Sequence, residues 1–310
     1  MPHVSICIPT YNRSHLLPLA IDSVLSQTYT DWELLVCDDG STDDTAKVMA
    51  GYDDARIQYL RHPSNIGKSN NMRSGYLAAQ GEYFIKFDDD DRLTPEFLAH
   101  TVAILDTHPE VDFVGTDHWI IDEKSQRDLA ATEANTKFWK RHNLPAGIVE
   151  DLLKQVFVKQ SFQVGATLFR YRALQAVEFM RPDLQNCEDN DLFVRLALAE
   201  KVGYYLSERL MEYRRHPEQN SLARAVRYLD DKVQYLRYFQ FADADLERVR
   251  RSRLQETELL LGLRLIETGE TQRGRALLQE KTGLKPQVGR WFSYLPLGLR
   301  QWLLLQVRQL

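Results

Sequence analysis

Three polar turns in the first hundred residues hold the side chains best suited to chemistry. Each follows a short apolar run. Pro9-Thr10-Tyr11-Asn12-Arg13 follows Val4–Ile8, Asp38-Asp39-Gly40-Ser41-Thr42-Asp43-Asp44-Thr45 follows Leu34–Cys37, and Asp88-Asp89-Asp90-Asp91 follows Tyr83–Phe87. The third turn is the most demanding. Carboxylates a few ångströms apart repel, so either their pKa values rise or a cation joins them. Hard oxygen ligands favour Mg²⁺ or Mn²⁺. Mg²⁺ is typically held by one or two carboxylates while substrate phosphates supply further ligands. The turn therefore predicts a diphosphate substrate. Two further sites are less telling alone. Glu188-Asp189 opens a helical pattern, where acids simply complement the helix dipole. His216, in Tyr213-Arg214-Arg215-His216-Pro217, reads alone as a surface histidine.

The elements that must position these turns alternate. Strands are expected at Val4–Ile8, Leu34–Cys37, Ile57–Leu60 and Tyr83–Phe87. Helices are expected after Ser14 as N-cap, around Ala46–Met49, over Met72–Ala79 and over Pro95–Thr107, with Pro at the first turn. Such alternation means βαβ units, right-handed crossovers and a parallel sheet. Ligands then bind beyond the carboxyl ends of the strands, where the three turns lie. Further on, Phe113–Val114, Trp119–Ile121, Ala166–Arg170 and Tyr204–Leu206 read as strands, and Asp189–Glu200 as a helix. Residues 123–147 read as a loop with a short helix. From about Asn220 strand signals vanish, and helices are expected over 220–241, 245–269 and 271–282. Leu261–Pro286 looks like a single tetratricopeptide-type hairpin, not an array. Residues 290–310 carry Trp, Leu and Arg on one face. That pattern fits the last helix of a small bundle, or peripheral contact with a membrane or partner.

Composition removes several function classes. The 310 residues carry 39 Lys+Arg against 44 Asp+Glu, a net charge of −5, which argues against nucleic-acid binding. Cys7, Cys37 and Cys187 have no zinc spacing and read as free thiols of a reducing compartment. No signal peptide and no spanning run of apolar residues is visible, so the expectation is a cytoplasmic chain, peripheral at most on the inner face of a membrane. Gly67-Lys68-Ser69 is not a phosphate loop, because His62 stands where the earlier glycine is required.

Taken together and in order, the motifs resemble glycosyltransferase family 2, inverting enzymes of GT-A fold. The matching segments are Pro9–Arg13, Ser23–Tyr29, Asp31-Trp32-Glu33-Leu34 and Asp38–Asp43. They continue with Asn65-Ile66-Gly67, Gly81-Glu82-Tyr83, the Asp turn at 88–91, Glu188-Asp189-x-Asp191-Leu192 and Tyr213-Arg214-Arg215-His216-Pro217. The resemblance covers about residues 3–222. It implies a GT-A fold, a Rossmann-like, mostly parallel α/β sheet flanked by helices, over 1–222, with a helical C-terminal region over 223–310. It also implies residue roles. Pro9, Thr10, Tyr11, Arg13 and Asp39 would hold the nucleotide. Lys68 lies near a basic nucleotide contact, and Arg73 stands where Asn is more usual. Asp88 or Asp89 would meet the ribose, Asp90 and His216 the metal, Mg²⁺ or Mn²⁺. Asp189 would be the general base, with Glu188 beside it.

The implied reaction moves one sugar from a nucleotide diphosphate-sugar, most often a UDP-sugar, to a glycan, lipid-linked or protein acceptor. A sugar hydroxyl needs a positioned base, and the leaving diphosphate needs a cation. No Gln-x-x-Arg-Trp motif follows Glu188-Asp189, which points away from processive synthases. Two competing readings are a non-catalytic nucleotide-sugar binder with a partner-recruiting helical tail, and a nucleotidyltransferase. The presence of Asp90 and Asp189 counts against the first. The absence of glycine in Pro9–Arg13 counts against the second.

Overall fold

The computed structural model of the chain describes residues 2–215, 222–279 and 293–295. It divides into two compact units, Met1–His216 and Pro217–Leu310. In the first unit strands and helices alternate: β1 (Val4–Thr10), α1 (Leu17–Leu25), β2 (Trp32–Asp38), α2 (Thr45–Met49), β3 (Ile57–Arg61), α3 (Lys68–Ala78) and β4 (Tyr83–Lys86). The short β5 (Arg92–Leu93) leads to α4 (Phe97–Thr107) and β6 (Phe113–Ile121). Then come α5 (Leu129–Phe138), β7 (Gly147–Ile148), β8 (Thr167–Arg170), α6 (Tyr171–Ala176), α7 (Glu188–Leu198) and β9 (Gly203–Arg214).

The strands build one mixed sheet in the order β3-β2-β1-β4-β8-β6-β9-β5, with β7 paired to β9. The pairs β1–β2, β1–β4 and β2–β3 are parallel. β8 runs antiparallel to both β4 and β6, so β6 regains the direction of β1, and β9 follows it in parallel. The carboxyl ends of β1, β2, β4, β6 and β9 thus share one edge. Pro9–Arg13, Asp38–Thr45, Asp88–Asp91 and Arg214 meet there because the topology leaves them no other edge.

Helices cover both faces of the sheet. Val4, Ile6 and Ile8 of β1 join a core with Leu17, Ala20, Ile21 and Val24 of α1 and with Phe97, Leu98, Val102 and Leu105 of α4. Cys7 faces the other side, where α3 packs so closely that a Cβ on Gly75 would lie 2.4 Å from its sulfur. A strand buried on both faces reads as a continuous apolar run, which is why β1 was visible in the sequence. Each fully buried Val or Ile contributes about 1.5–3 kcal/mol.

Three local expectations are corrected. Ser14 does not cap α1. The helix starts at Leu17 after Leu16, with Pro18 in its first turn, while the Ser14 N–H donates to Asp43 Oδ2 at 2.9 Å. Phe113–Val114 and Trp119–Ile121 are one strand. Its polar middle is buried because Asp117 accepts from Arg141 Nε at 2.6 Å and from Thr136 Oγ1 at 2.8 Å. Tyr204–Leu206 is the start of the twelve-residue β9, in which Ser207 and Glu208 are exposed while Glu212 and Arg214 are buried. The helix expected within 123–147 is present as the ten-residue α5, capped by Asp128 accepting from the Ala131 N–H at 2.9 Å.

The second unit is helical over its described residues, with α8 (Leu222–Tyr238), α9 (Ala244–Thr268) and α10 (Thr271–Gln279). Asp243 caps α9 by accepting from the N–H groups of Asp245 and Leu246 at 2.9 and 2.8 Å. Gly269, at φ 101°, ends it in a left-handed turn. Val226, Val233, Leu261 and Leu265 form its core. Residues 280–286 of the expected hairpin, and nearly all of 290–310, lie outside the described residues. Among the described residues no helix is long and apolar enough to cross a membrane.

Candidate active site

The Asp turn carries its own counter-ions. Arg13 Nη1 donates to Asp89 Oδ1 at 3.0 Å and to Asp90 Oδ2 at 2.7 Å. Lys86, buried in β4, reaches Asp88 Oδ1 at 2.6 Å. Arg214, at the end of β9, donates its backbone N–H to Asp91 Oδ1 at 2.9 Å and its Nε–H to the Asp90 carbonyl at 2.7 Å. Arg13 and Lys86 thus pair with three of the four carboxyl groups, and Arg214 holds the backbone of the turn.

Asp88, Asp89 and Asp91 consequently differ. Burial pushes Asp88 upward, but Lys86 and Lys68 outweigh it and hold the group well below the usual range. Burial, reinforced by Asp90, raises Asp89 to about 7 against the pull of Arg13. Burial raises Asp91 far above its ordinary value, with Asp90 and Asp88 adding to it. Asp91 Oδ2 is buried with no hydrogen-bond partner among the described residues.

The first two turns are laced together. The Asn12 N–H donates to Ser41 Oγ at 2.9 Å, and Asn12 Oδ1 accepts from the Thr42 N–H at 2.8 Å. Pro9 and Thr10 are buried at the end of β1, while Tyr11 stands exposed above them. Asp39 accepts from the N–H groups of Ile66 and Gly67 at 2.6 and 3.2 Å and so fixes the loop before α3. Gly40 needs its φ of 76°, and a Cβ there would meet the Ser64 backbone at 2.6 Å.

The α3 N-terminus is stapled to the segment before α7. Ser69 Oγ donates to the Leu184 carbonyl, and the Ser69 N–H donates to Gln185 Oε1 at 3.2 Å. Lys68 Nζ pairs with Glu188 Oε1 at 2.6 Å. Glu188 is buried, and Asp189 beside it is partly buried. Burial raises Asp189, Glu188 adds to the rise, and Lys68 opposes it. Asp191 points elsewhere, with Oδ2 held by Arg195 Nε at 2.6 Å inside the protein. Arg73 donates to the carbonyls of Glu178 and Met180, both at 2.8 Å, and serves the fold there.

Most residues singled out in the sequence thus converge on one edge. Two contributors were missed. Lys86 is a lone cation in an apolar strand, a pattern that signals a buried partner. Arg214 lay within the Tyr-Arg-Arg-His motif without an assigned role. His216 lies outside the described residues.

Does this donor set suit a divalent ion? Among the described residues no group of three or more His, Cys, Asp or Glu side chains could hold one alone. The Asp turn offers hard carboxylate oxygens at the ligand edge, with Asp90 only partly buried. One or two carboxylates, completed by substrate phosphates, is how Mg²⁺ is usually held. The residues fit an ion that arrives with a diphosphate.

Comparison with known proteins agrees with this picture. The model of the family described as Glycosyl transferase family 2 matches residues 5–164. "Putative glycosyltransferase EpsE" of Bacillus subtilis (strain 168) is 30% identical over 219 residues, which are 69% of this chain and 73% of that one. The Escherichia coli UDP-Glc:alpha-D-GlcNAc-diphosphoundecaprenol beta-1,3-glucosyltransferase WfgD is 40% identical over 122 residues, 39% of this chain and 48% of that one. Among solved structures, S. aureus TarS 1–349 in complex with UDP-GlcNAc aligns with a TM-score of 0.63 at 17% identity, covering 94% of this chain and 79% of that one. The mannosyltransferase PcManGT from Pyrobaculum calidifontis, in complex with GDP-Man and Mn²⁺, aligns with a TM-score of 0.61 at 17% identity, covering 93% and 78%. These structural likenesses establish the GT-A fold.

Proposed function

The chain belongs to glycosyl transferase family 2, and from that membership we propose that it moves one sugar, with inversion, from a UDP-sugar to a hydroxyl of a lipid-linked or glycan acceptor. The observation that carries this reading is the convergence of the Asp turn, the Asp39 turn and Glu188–Asp189. Lys68 joins them: it pairs with Glu188 at 2.6 Å and lies within the field of Asp88.

The roles follow from the chemistry. Pro9–Arg13 and Asp39 form the nucleotide side of the site. Asp88 or Asp89 meets the ribose. Asp189 takes the proton of the acceptor hydroxyl as that oxygen attacks the anomeric carbon. A base whose pKa is raised toward the working pH is the stronger proton acceptor. Burial and Glu188 raise Asp189 in that direction. A single displacement needs one base and inverts the anomeric centre; a hydrolase would need a second carboxyl group as acid. Asp90 would hold Mg²⁺ or Mn²⁺ together with the donor, where the ion would neutralise charge on the leaving diphosphate. UDP as carrier and a diphosphate-lipid as acceptor are supported by the printed activity of WfgD. That acceptor class would place the enzyme at the cytoplasmic face of a membrane.

Isothermal titration with UDP, GDP and dTDP, each with and without Mn²⁺, tests the donor site. Metal-dependent binding of UDP, lost in Asp90→Ala, is expected. Failure of all three nucleotides to bind would overturn the assignment.

A further inference from the structure

Lys68 invites assignment to the nucleotide by its place at the start of α3. Its geometry directs it elsewhere. Its ammonium group lies 2.6 Å from Glu188 Oε1, and that carboxylate is buried on the first turn of α7. The pairing is one of three staples in a row. Ser69 Oγ to the Leu184 carbonyl and the Ser69 N–H to Gln185 Oε1 are the others. Upstream, Asp39 clamps the N–H groups of Ile66 and Gly67, the residues just before Lys68. A continuous chain of contacts therefore runs from the Asp39 turn, through the N-terminus of α3, to Glu188 and the Asp189 next to it.

We propose that Lys68 is a positioning residue for Asp189 rather than a nucleotide contact: by pairing with Glu188 it fixes the first turn of α7 and keeps the neighbouring Asp189 in its proton-accepting form. This rests on the reading of Asp189 as the base. A buried Glu188 without its partner would be an uncompensated charge one residue from that base. The charged groups whose fields reach Asp189 are Glu188 on its own helix, Lys68 from α3 and Lys86 from β4. The segment packed along α7 sends Gln160 to Asn190 Oδ1 at 3.0 Å, and the Asn190 N–H donates to Asp189 Oδ1 at 2.8 Å. Lys86 is committed to Asp88 at 2.6 Å, which leaves Lys68 as the cation that answers Glu188. The signs follow. Lys68 draws the Asp189 pKa down and Glu188 pushes it up.

The test uses the full chain with Lys68→Met, Lys68→Arg and Glu188→Gln. Turnover of UDP-glucose and UDP-N-acetylglucosamine is followed against pH, and UDP affinity is measured by titration. An opposite charge within ~4–6 Å shifts a carboxylate by about 1–3 units, and the half-exposed Lys68 belongs at the low end. Lys68→Met should therefore move the acid limb of the kcat profile up by about one pH unit, with UDP affinity unchanged. Lys68→Arg should restore the limb, and Glu188→Gln should move it down. A loss of UDP affinity of about tenfold in Lys68→Met, with the limb unmoved, would make Lys68 a nucleotide contact and overturn the proposal. If the wild type turned over neither sugar, the reading of the site as a transferase would be the one that failed. Carboxyl NMR of Asp189 in the free protein would still decide the proposal: the same upward shift in Lys68→Met supports it, and an unmoved titration refutes it.

Discussion

Replacing Arg214 should loosen the site from beneath. Its side chain is 1% exposed. Nε donates to the Asp90 carbonyl at 2.7 Å, and Nη1 donates to the Asp122 carbonyl at 2.9 Å and to Ser125 Oγ at 3.0 Å. One guanidinium thus ties the Asp turn to the turn after β6. In Arg214→Met the Asp91 carboxyl keeps its backbone N–H, but the Asp90 and Asp122 carbonyls lose charged donors. Each buried group left without a partner costs about 1–3 kcal/mol. The methionine chain fills much of the volume and returns about 1–2 kcal/mol of burial. Losing the cation beside Asp90 adds to the cost, since breaking a buried pair typically costs about 3–5 kcal/mol. These are overlapping accounts of one loss, and about 3–4 kcal/mol is expected. For a unit of this size that lowers Tm by roughly 10 °C. Urea unfolding at unchanged slope reads the stability, and UDP titration reads the turn. Arg214→Lys keeps the charge but not the fork, and should recover about half of the loss. A stability loss below about 1 kcal/mol for Arg214→Met would refute the reasoning, because the two carbonyls would then have found other donors.

Other outcomes follow from the same structure. Asp91→Asn should cost less than a broken buried ion pair, about 3–5 kcal/mol, since burial and the neighbouring aspartates already disfavour the Asp91 charge; a loss in that range by urea unfolding would contradict it. Gly40→Ala should destabilise by about 2–4 kcal/mol, from left-handed strain plus the contact with the Ser64 backbone, as read by thermal melts. Asp191→Ala should unfold the protein more readily by about 3–5 kcal/mol by stranding Arg195, whereas Asp189→Asn should leave the melting temperature nearly unchanged and abolish turnover. His118 supplies a pH dependence. Burial, with Arg141, brings its pKa down to about 3 against the pull of Asp117. The unfolded chain takes up this proton first, so the stability His118 contributes is present above about pH 6.5 and is lost as pH falls toward the folded value. Urea midpoints between about pH 4 and 7 should fall less steeply in His118→Gln than in the wild type.

The parallel half of the sheet was legible because its strands are buried on both faces. Val4–Ile8, Leu34–Cys37 and Tyr83–Phe87 show as plain apolar runs, each ended by a polar turn. The candidate site was legible for the same reason, since its residues stand directly after those runs. The antiparallel half hid itself through buried polarity. Thr116, Asp117 and His118 interrupt β6 in sequence yet are buried in it, because Arg141 and Thr136 arrive from later in the chain. β9 hid behind Ser207, Glu208 and Arg209, a polar run in mid-strand, and behind Glu212 and Arg214, which are charged yet buried. Charge pairing was also out of reach. Four adjacent aspartates announced a need for cations, and Lys86 stood two residues away, but nothing local told that Arg13 and Arg214 would join the turn. Partners from 76 and 123 residues away become visible only when the strand order brings them together.

The most direct test of the account is the anomeric configuration of the first-formed product, read by time-resolved proton NMR with the wild-type chain and UDP-α-linked glucose or N-acetylglucosamine. A β-configured product is predicted, because one attack assisted by Asp189 inverts the centre. An α-configured first product would require two displacements or a front-face path, and would contradict the single-base mechanism.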